Sequence, residues 1–403
     1  MRKVTATVTG IMTVLCMLAI SVPVSDAFAE EIKIVHLNGD SFIHTGTFDY
    51  SVSAFNAEQD ALGSNYSINS VRVDVTSSTV EGEVQRLYGL GYKYFVGPTT
   101  SESAKRVLGY INAPERSDIV MIAPISAATS LAMPNDGLFR MISDNAAYVP
   151  IIVDNINDHG KEGVVILYRN DEWGRDQSGS LSDSYAGNSV AISLDDGTAV
   201  SQTVDGVRQL VSAHGADNVA VVLVAFESDV VSLVKSILAN AEWTAVLNDV
   251  QWYGTGGFTL GRTLVDDAEV AEFLASVNIS AFALTVPENP VNAELARQNF
   301  PNPEIFRNSV YDAVFLLADA VIVSANNPGS TVRGQMLNVA NGLETHSFHG
   351  PDRMTGAGAL GDYSLNAAGD LAAGESDGHT LYTIRATTDG GFGWGTFATR
   401  TCR

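Results

Sequence analysis

The chain is poor in cysteine and in basic residues, and both shortages exclude classes of protein. Only two of its 403 residues are cysteines, Cys16 and Cys402. A small fold held together by a network of disulfides is therefore excluded. Lysine and arginine number 23 against 46 aspartates and glutamates, which gives a net charge of −23. Nucleic acids and anionic membranes attract clusters of positive charge, so the composition argues against both as partners.

Except at the start of the chain, we expect no stretch that is long and apolar enough to cross a membrane. Two basic residues precede an uncharged apolar stretch over about Val8–Val24. Ala27-Phe28-Ala29 then matches the small-x-small pattern that signal peptidase cleaves. We expect residues 1–29 to be a signal peptide and the mature chain to be exported, to the periplasm or the cell surface. An uncleaved N-terminal anchor is the alternative, because the stretch is close to the shortest that spans a membrane.

The rest of the chain alternates short apolar runs with segments of helical periodicity. Ile32–Leu37 and Ile68–Val75 favour strands, whereas Phe48–Leu62 between them favours a helix. Such alternation predicts parallel β-α-β units. A second series begins at Val164–Tyr168, and the length exceeds one ordinary core, so we expect two α/β lobes. Further predicted elements are the strands Tyr94–Val96, Ile119–Ala123, Ser189–Leu194, Val219–Val224, Val250–Tyr253 and Leu381–Ile384, and a buried helix over Ser309–Ser324.

Three hydroxyl side chains follow one predicted strand. Thr99, Thr100 and Ser101 come directly after Gly97-Pro98 and open a predicted helix over Ser101–Ile111. A helix cap needs only one hydroxyl, and ligands of open α/β sheets bind at the carboxyl ends of strands. Two interpretations therefore stand: a plain N-cap, or a site where a helix N-terminus holds an anionic ligand.

Six short motifs occur in an order that is typical of one family. They are Tyr94–Pro98 followed by hydroxyls, Ala123–Ser130, Leu138–Arg140 followed by Asp144, Trp173-Gly174, Tyr311–Val314 and Gly369–Leu371. With these motifs the chain resembles the type I periplasmic solute-binding proteins, of the kind that bind leucine, isoleucine and valine for ABC importers. The resemblance covers nearly all of the mature chain.

The resemblance implies two doubly wound parallel-sheet lobes joined by a three-segment hinge, with the ligand in the cleft. It places the crossings near Ser143–Ala147, Thr285–Glu288 and Thr345–Gly350. The first lobe would contain residues 30–145 and 287–345, and the second residues 146–286 and 346–403.

The resemblance also assigns the ligand's carboxylate to the first lobe. Ser101, with Thr100 beside it, lies where the family uses a serine at a helix start. Thr129 lies at the position of a family threonine hydroxyl, and Ala127 at the position of its backbone partner. The alternatives are an ordinary cap and a loop of small residues that opens a helix.

Two aromatic residues would come from the second lobe. Trp173 lies where the family often has an aromatic residue beside a glycine, and it could form a wall of the cleft. Phe226, with Glu227 next to it, lies near a family tyrosine that contacts ligand. Phenylalanine has no hydroxyl, so only an apolar contact carries over. For Trp173 ordinary loop packing is the alternative.

One position departs from the amino-acid binders of the family. These carry an acid that pairs with the ligand's ammonium, and the corresponding place in this chain is Gly256. Burying an ammonium without a partner is costly. Either Asp144, Glu172 or Glu227 replaces that acid, or the ligand has no ammonium.

Signals for enzymatic chemistry are weak. Gly356–Gly361 fits the dinucleotide pattern G-x-G-x-x-G but does not follow a predicted strand, so we interpret it as a glycine-rich loop. We predict no enzyme, no cofactor and no metal, and a monomer that captures a small carboxylate-bearing solute, an amino acid or a related compound, by hinge closure and delivers it to an ABC permease. A ligand-sensing receptor module of the same fold is the alternative, and a dinucleotide-dependent enzyme is a weaker one.

Overall fold

The computed structural model describes residues 30–39, 45–284, 288, 290–298, 300, 304–342, 357–358, 361–362, 365–371 and 379–400. The predicted signal peptide, both cysteines and part of the Gly356–Gly361 loop lie outside these residues. The first series of elements is β1 (Glu30–Asn38), α1 (Thr45–Leu62), β2 (Tyr66–Asp74), α2 (Val80–Gly89), β3 (Tyr94–Val96), α3 (Ser101–Ile111), β4 (Val120–Ala123) and β5 (Leu138–Arg140).

The second series and the C-terminal elements follow. They are α4 (Asn145–Asp158), β6 (Gly163–Tyr168), α5 (Glu172–Ser184), β7 (Asn188–Ser193), α6 (Ala199–His214), β8 (Val219–Val224), α7 (Glu227–Leu238), α8 (Ala241–Asn248), β9 (Gln251–Gly254), α9 (Thr263–Asp266), α10 (Ala268–Ser276), β10 (Ser280–Leu284), α11 (Pro290–Arg297), α12 (Glu304–Asn326), α13 (Val332–Ala340), β11 (Ala357–Gly358), β12 (Gly361–Asp362), β13 (His379–Ala386) and β14 (Phe392–Arg400). Short 3-10 turns lie at Pro114–Arg116, Thr129–Leu131 and Ala216–Asn218.

The first series forms a parallel sheet with the strand order β2-β1-β3-β4-β5. Successive side chains of a strand point to opposite faces, and both faces of this sheet are apolar. On one face Ile34 and Ile122 pack in the core that contains α12. On the other face Val35 and Met121 pack with residues of α2 and α3. The predicted doubly wound arrangement, with helices on both faces, is confirmed for this lobe.

The second sheet has the order β14-β13-β10-β9-β8-β6-β7. Its five parallel strands, β6 to β10, repeat the strand order of the first sheet. The predicted strand Leu381–Ile384 lies within β13, but β13 runs antiparallel to β10, and β14 runs antiparallel to β13. Two antiparallel strands thus extend the parallel part of the second sheet at one edge, and the tight turn between β13 and β14 can join only antiparallel strands.

The predicted buried helix is the central helix of the first lobe. α12 contains the whole of Ser309–Ser324, and Tyr311 and Phe315 pack against Phe55 and the face of the first sheet. Its part Ile305–Asn326 is long and apolar enough to cross a membrane, but 83% of its most apolar window is buried inside the protein. A helix that is apolar all round and packed between layers belongs to a core.

Along the chain, the described elements change from one sheet to the other three times. The first passage lies between β5 and β6, and it contains the predicted crossing Ser143–Ala147. The second lies between β10 and α12, and the third between α13 and β13. Residues 285–287 and 345–350, where the other crossings are predicted, lie outside the described residues. The predicted division of the chain into lobes stays a prediction.

The segment 365–371 corrects that division at one place. Leu365 and Leu371 pack in the core of the first lobe, although the sequence analysis assigned residues 346–403 to the second. Asp370 holds the segment there through a buried ion pair with Arg140, at 2.5 Å between Oδ1 and Nε. A charge buried this deeply needs its partner close by, so the segment stays with β5.

Candidate functional site

A cavity of about 120 Å³ lies between the two sheets. It is lined by loops that follow β3, β4, β6, β8 and β9, all at the carboxyl ends of parallel strands. This is the position in which open α/β sheets bind ligands. A comparable engineered cavity of ~150 Å³ accepts benzene, so the space fits a ligand with one ring or a short branched chain.

One end of the cavity is formed by Thr99, Thr100 and Ser101, which we call the carboxylate end. Thr100 is the cap of α3, because its Oγ1 accepts from the Ser103 N–H at 3.3 Å. Ser101 Oγ accepts from the Ala128 N–H at 3.2 Å, which leaves its own proton for a ligand. Thr99 Oγ1 is buried and has no hydrogen-bond partner among the described residues. Two hydroxyls beyond the cap therefore meet a helix N-terminus, which favours an anion.

The loop after β3 approaches β1 so closely that only glycine fits at its start. Gly97 has a φ of 101°, and a Cβ there would lie 2.4 Å from the carbonyl oxygen of Leu37. Ser126 Oγ then donates to the Thr99 carbonyl at 3.2 Å, which joins this loop to the loop after β4. The carboxylate end is thus held by backbone fit and by buried hydrogen bonds within the protein.

Arg140 supports the same loops from beneath. Its guanidinium donates to the carbonyls of Ser126 and Ala128, at 3.0 and 2.8 Å. The side chain is fully buried and is neutralised by Asp370. These two bonds hold the backbone on both sides of Ala127, a residue that lines the cavity. Arg140 therefore positions the site without touching a ligand.

The opposite wall is an aromatic stack from the second lobe. The rings of Trp173 and Phe226 are stacked, with centroids 5.0 Å apart and an interplanar angle of 8°. The Arg169 guanidinium lies over the Phe226 ring, 4.1 Å from its centroid. Arg169 is itself held by Asp171 and Asp229, at 2.9 and 2.5 Å. The stack presents a rigid, apolar surface to the cavity.

Among the described residues of the lining, one side chain is acidic and none is basic. The acid is Asp171, and both of its oxygens have partners. Oδ1 accepts from the Gly174 N–H at 2.8 Å, and Oδ2 accepts from Arg169 Nε at 2.9 Å. Asp171 therefore serves the cap of α5 and the stack, and both of its oxygens already have hydrogen-bond partners within the protein.

The three acids proposed as replacements for Gly256 all bind elsewhere, and none of them lines the cavity. Asp144 caps α4 by accepting from the Ala146 N–H at 3.0 Å. Glu227 accepts from the Thr263 N–H. Glu172 accepts from the Ser130 hydroxyl. Although burial opposes the shift, this bond and the charges of Lys105 and Arg175 hold the pKa of Glu172 below its ordinary value.

Gly256 itself lines the cavity and has room for a side chain. A Cβ there would meet the Phe282 ring at 3.6 Å, which is an ordinary van der Waals contact. Gly257 is different, since a Cβ would lie 2.5 Å from the Ala225 carbonyl oxygen and 2.7 Å from the Trp173 ring. The lack of an acid at Gly256 is thus not imposed by space.

Charged and polar side chains close the cleft beside the cavity. Between α3 of the first lobe and α5 of the second, Arg175 pairs with Glu102 at 3.2 Å and Lys105 with Glu172 at 3.6 Å. Asp176 Oδ2 accepts from the Thr129 N–H at 2.9 Å. We call these contacts the cross-lobe cluster. They hold the two lobes together directly next to the ligand space.

The cavity brings together part of the predicted site. Of the predicted residues it contains Ser101, Thr100, Ala127, Trp173 and Phe226, whereas Thr129, Asp144 and Glu227 lie outside its lining. The role of each as a ligand contact stays a prediction.

The sequence analysis missed several residues that do line the cavity: Asp171, Gln177, Tyr148, Phe282 and Tyr382. Gln177 alone had a signal, because it follows Trp173 by four residues, on the same face of a helix. Within the described residues, no group of three or more metal-binding side chains occurs.

The chain is similar to known ligand-binding proteins over most of its length. The family model described as the receptor family ligand binding region matches residues 40–375. An uncharacterized protein of Methanocaldococcus jannaschii is 22% identical over 333 residues, covering 77% of each chain.

Two solved structures share the fold. One is the branched-chain amino acid transporter substrate binding protein LivJ of Streptococcus pneumoniae, in complex with isoleucine. It has a TM-score of 0.64 and 16% identity, and the match covers 93% of this chain and 99% of that one. The other is an ABC transporter solute binding protein of Rhodopseudomonas palustris, in complex with 4-hydroxybenzoate. It has a TM-score of 0.66 and 13% identity, and the match covers 92% and 97%.

The predicted resemblance and fold class are confirmed by these matches together with the two sheets of equal strand order. The chain has the type I periplasmic binding protein fold, and it belongs to the family of receptor ligand-binding regions.

Proposed function

We propose that this protein is the exported solute-binding component of an ABC importer, and that its ligand is a small carboxylic acid with an apolar body and no α-ammonium. The observation that carries the proposal is the asymmetry of the cavity. Hydroxyls and a helix N-terminus lie at one end, aromatic side chains form the opposite wall, and both oxygens of the one acid in the described lining already have hydrogen-bond partners.

The carboxylate end supplies the affinity for the anion. The hydroxyls of Thr99 and Ser101 donate toward the same space at the N-terminus of α3. Charge-assisted hydrogen bonds of this kind are about twice as strong as neutral ones. Among the described residues of the lining, an ammonium group would meet only the Asp171 carboxylate, whose two oxygens already accept from Gly174 and Arg169, so its lost hydration would be poorly compensated.

The aromatic wall supplies the affinity for the ligand body. Trp173 lines the cavity, and its ring is held by stacking on Phe226. A benzoate ring or a branched aliphatic chain would bury its apolar surface there. Burial contributes roughly 25 cal/mol per Å² of apolar surface. Both ligand types occur in the solved structures with this fold, which bind isoleucine and hydroxybenzoate.

Binding would proceed by closure of the two lobes. The first lobe takes the carboxylate, the second lobe brings Trp173 over the ligand, and the cross-lobe cluster forms beside it. The closed form would then dock on a membrane permease. Small-angle scattering should show a lower radius of gyration when a saturating ligand is present, and an unchanged profile would contradict closure.

The test of the ligand class is a thermal-shift panel of benzoate, isocaproate, leucine and the amides of benzoate and isocaproate. A ligand at a hundred times its dissociation constant stabilises the fold by about 2.7 kcal/mol, which is visible as a shift in melting temperature. The amine-free acids should shift the transition and the amides should not. Equal shifts by amides and acids would contradict the carboxylate end, and a shift by leucine alone would contradict the missing ammonium site.

The transport partner is tested separately. A permease complex that imports the ligand only when this protein is added would support the importer. Stable binding to a signalling protein, with no transport, would favour the receptor module of the same fold instead.

A further inference from the structure

Gln177 lies in the same cavity, one helical turn beyond Trp173 on α5. Its exposed fraction is 1%. Positions four residues apart lie on one face of a helix, so α5 presents both side chains to the ligand space. Most of the wall around them is apolar, with Ile142 and Phe282 among the lining residues. A buried glutamine is unusual on such a surface.

The carbonyl oxygen of the Gln177 side chain has no hydrogen-bond partner among the described residues. Buried side-chain polar atoms are paired in the large majority of cases, and an unpaired one loses its hydration without compensation. The cavity is where a partner can enter. An ionised carboxylate has only acceptor atoms and cannot pair with a carbonyl oxygen, so the partner must be another group of the ligand.

We propose that Gln177 is a specificity-determining residue whose side-chain carbonyl accepts a hydrogen bond from a hydroxyl or N–H group of the ligand. The ligand class becomes a carboxylic acid that carries a second, donating polar group, such as a hydroxylated aromatic acid. This inference rests on the proposed function, since the apolar body and the carboxylate are taken from it. The binding site then has three parts: the carboxylate end, the aromatic wall and one polar acceptor on α5.

The test compares the dissociation constants of benzoate, meta- and para-hydroxybenzoate, and the two corresponding methoxybenzoates by titration calorimetry. In the wild-type chain at least one hydroxybenzoate should bind about tenfold more tightly than benzoate. Its methoxy analogue, which accepts but cannot donate, should show no such gain. In Gln177→Met, a side chain of similar length without the carbonyl, the ratio of hydroxybenzoate to benzoate affinity should fall to about one.

Gln85→Met serves as the matched control, because Gln85 is exposed on α2 and its amide donates only to Glu81. This variant should keep the wild-type ratio. An equal gain for methoxy and hydroxy acids, or a hydroxyl gain that survives in Gln177→Met, overturns the inference. Benzoate binding with no hydroxyl gain overturns this inference alone. Failure of all five acids to bind a wild-type chain that isocaproate stabilises overturns this inference alone, and failure of isocaproate as well overturns the proposed function and this inference with it.

Discussion

Replacing Gly256 with aspartate should give the cavity the ammonium partner that it lacks. The backbone accepts a side chain there, since a new Cβ would meet the Phe282 ring at 3.6 Å and nothing closer. The new carboxylate would enter a lining whose one acid, Asp171, is held by Arg169. Gly256→Asp should therefore fold like the parent chain and change only what the cavity selects.

The size of the change follows from two opposing charge effects. An ammonium and a carboxylate at 4 Å attract by about 4 kcal/mol at an effective dielectric of 20, and desolvation of the new aspartate cancels part of this. A net gain of about 1.4 kcal/mol corresponds to tenfold tighter binding of leucine. Repulsion between the aspartate and an amine-free acid should weaken isocaproate by a similar factor. The ratio of the two affinities should thus change about 100-fold.

Titration calorimetry with leucine and isocaproate on both chains measures this ratio. Gly256→Asn is the matched control, because it adds the same volume without the charge and should leave the ratio within a few fold of the parent. A ratio that is unchanged in Gly256→Asp, or changed equally by aspartate and asparagine, would refute the argument that a missing charge at this position determines the ligand class.

Three further predictions concern the support of the site, its closure and the pH range of the fold. Arg140→Met should lower the free energy of unfolding by about 3–5 kcal/mol, because it leaves Asp370 buried without a partner; denaturant unfolding measures this, and Arg140→Met combined with Asp370→Leu should recover most of the loss. Glu172→Gln should weaken ligand binding a few fold and reduce the salt dependence of binding, since partly exposed ion pairs contribute about 0.2–1 kcal/mol each. Ligand titrations at low and high ionic strength measure this, and an equal response of the parent protein and the variant would contradict it. Burial raises the pKa of Asp136 from 3.8 to about 7, so the folded state retains a proton that the unfolded state releases, and stability should fall by up to about 4 kcal/mol as the pH rises from about 4 to 7. Asp136→Asn should flatten that profile in urea melts, and an unaltered profile would contradict the assignment.

The sequence predicted the fold well because the fold depends on periodicity. Runs such as Val219–Val224 are buried on both faces, and their apolar character is visible without any tertiary information. The hairpin of β13 and β14 was not predicted, because Phe392–Arg400 mixes glycine with polar residues and contains no continuous apolar run. The position of residues 365–371 was not predicted, because it depends on the ion pair between Arg140 and Asp370, which are 230 residues apart in the sequence.

The site was less predictable than the fold. The place of Ser101 in the cavity was predictable, because a helix that follows a parallel strand begins at the carboxyl edge of the sheet, where ligands bind. Thr99 and Thr100 lie there because they are adjacent to Ser101 in the sequence. Glu172 and Asp144 were credible acids by sequence position, but their carboxylates point to a neighbouring loop and to a helix cap. The partners of a charged side chain are determined by tertiary packing, so periodicity cannot show whether an acid faces a cavity or a backbone N–H.

The central claim is that the cavity holds a small carboxylic acid without an α-ammonium. The most direct measurement is mass spectrometry of the compounds released by denaturing the protein after gentle purification from its native host. The account predicts that one compound dominates, at one molecule per protein chain, and that it is an organic acid with an apolar body and no amine. A hydroxyl group on this acid would agree with the proposed role of Gln177. Release of an α-amino acid, or of a neutral or cationic compound without a carboxylate, would contradict the account.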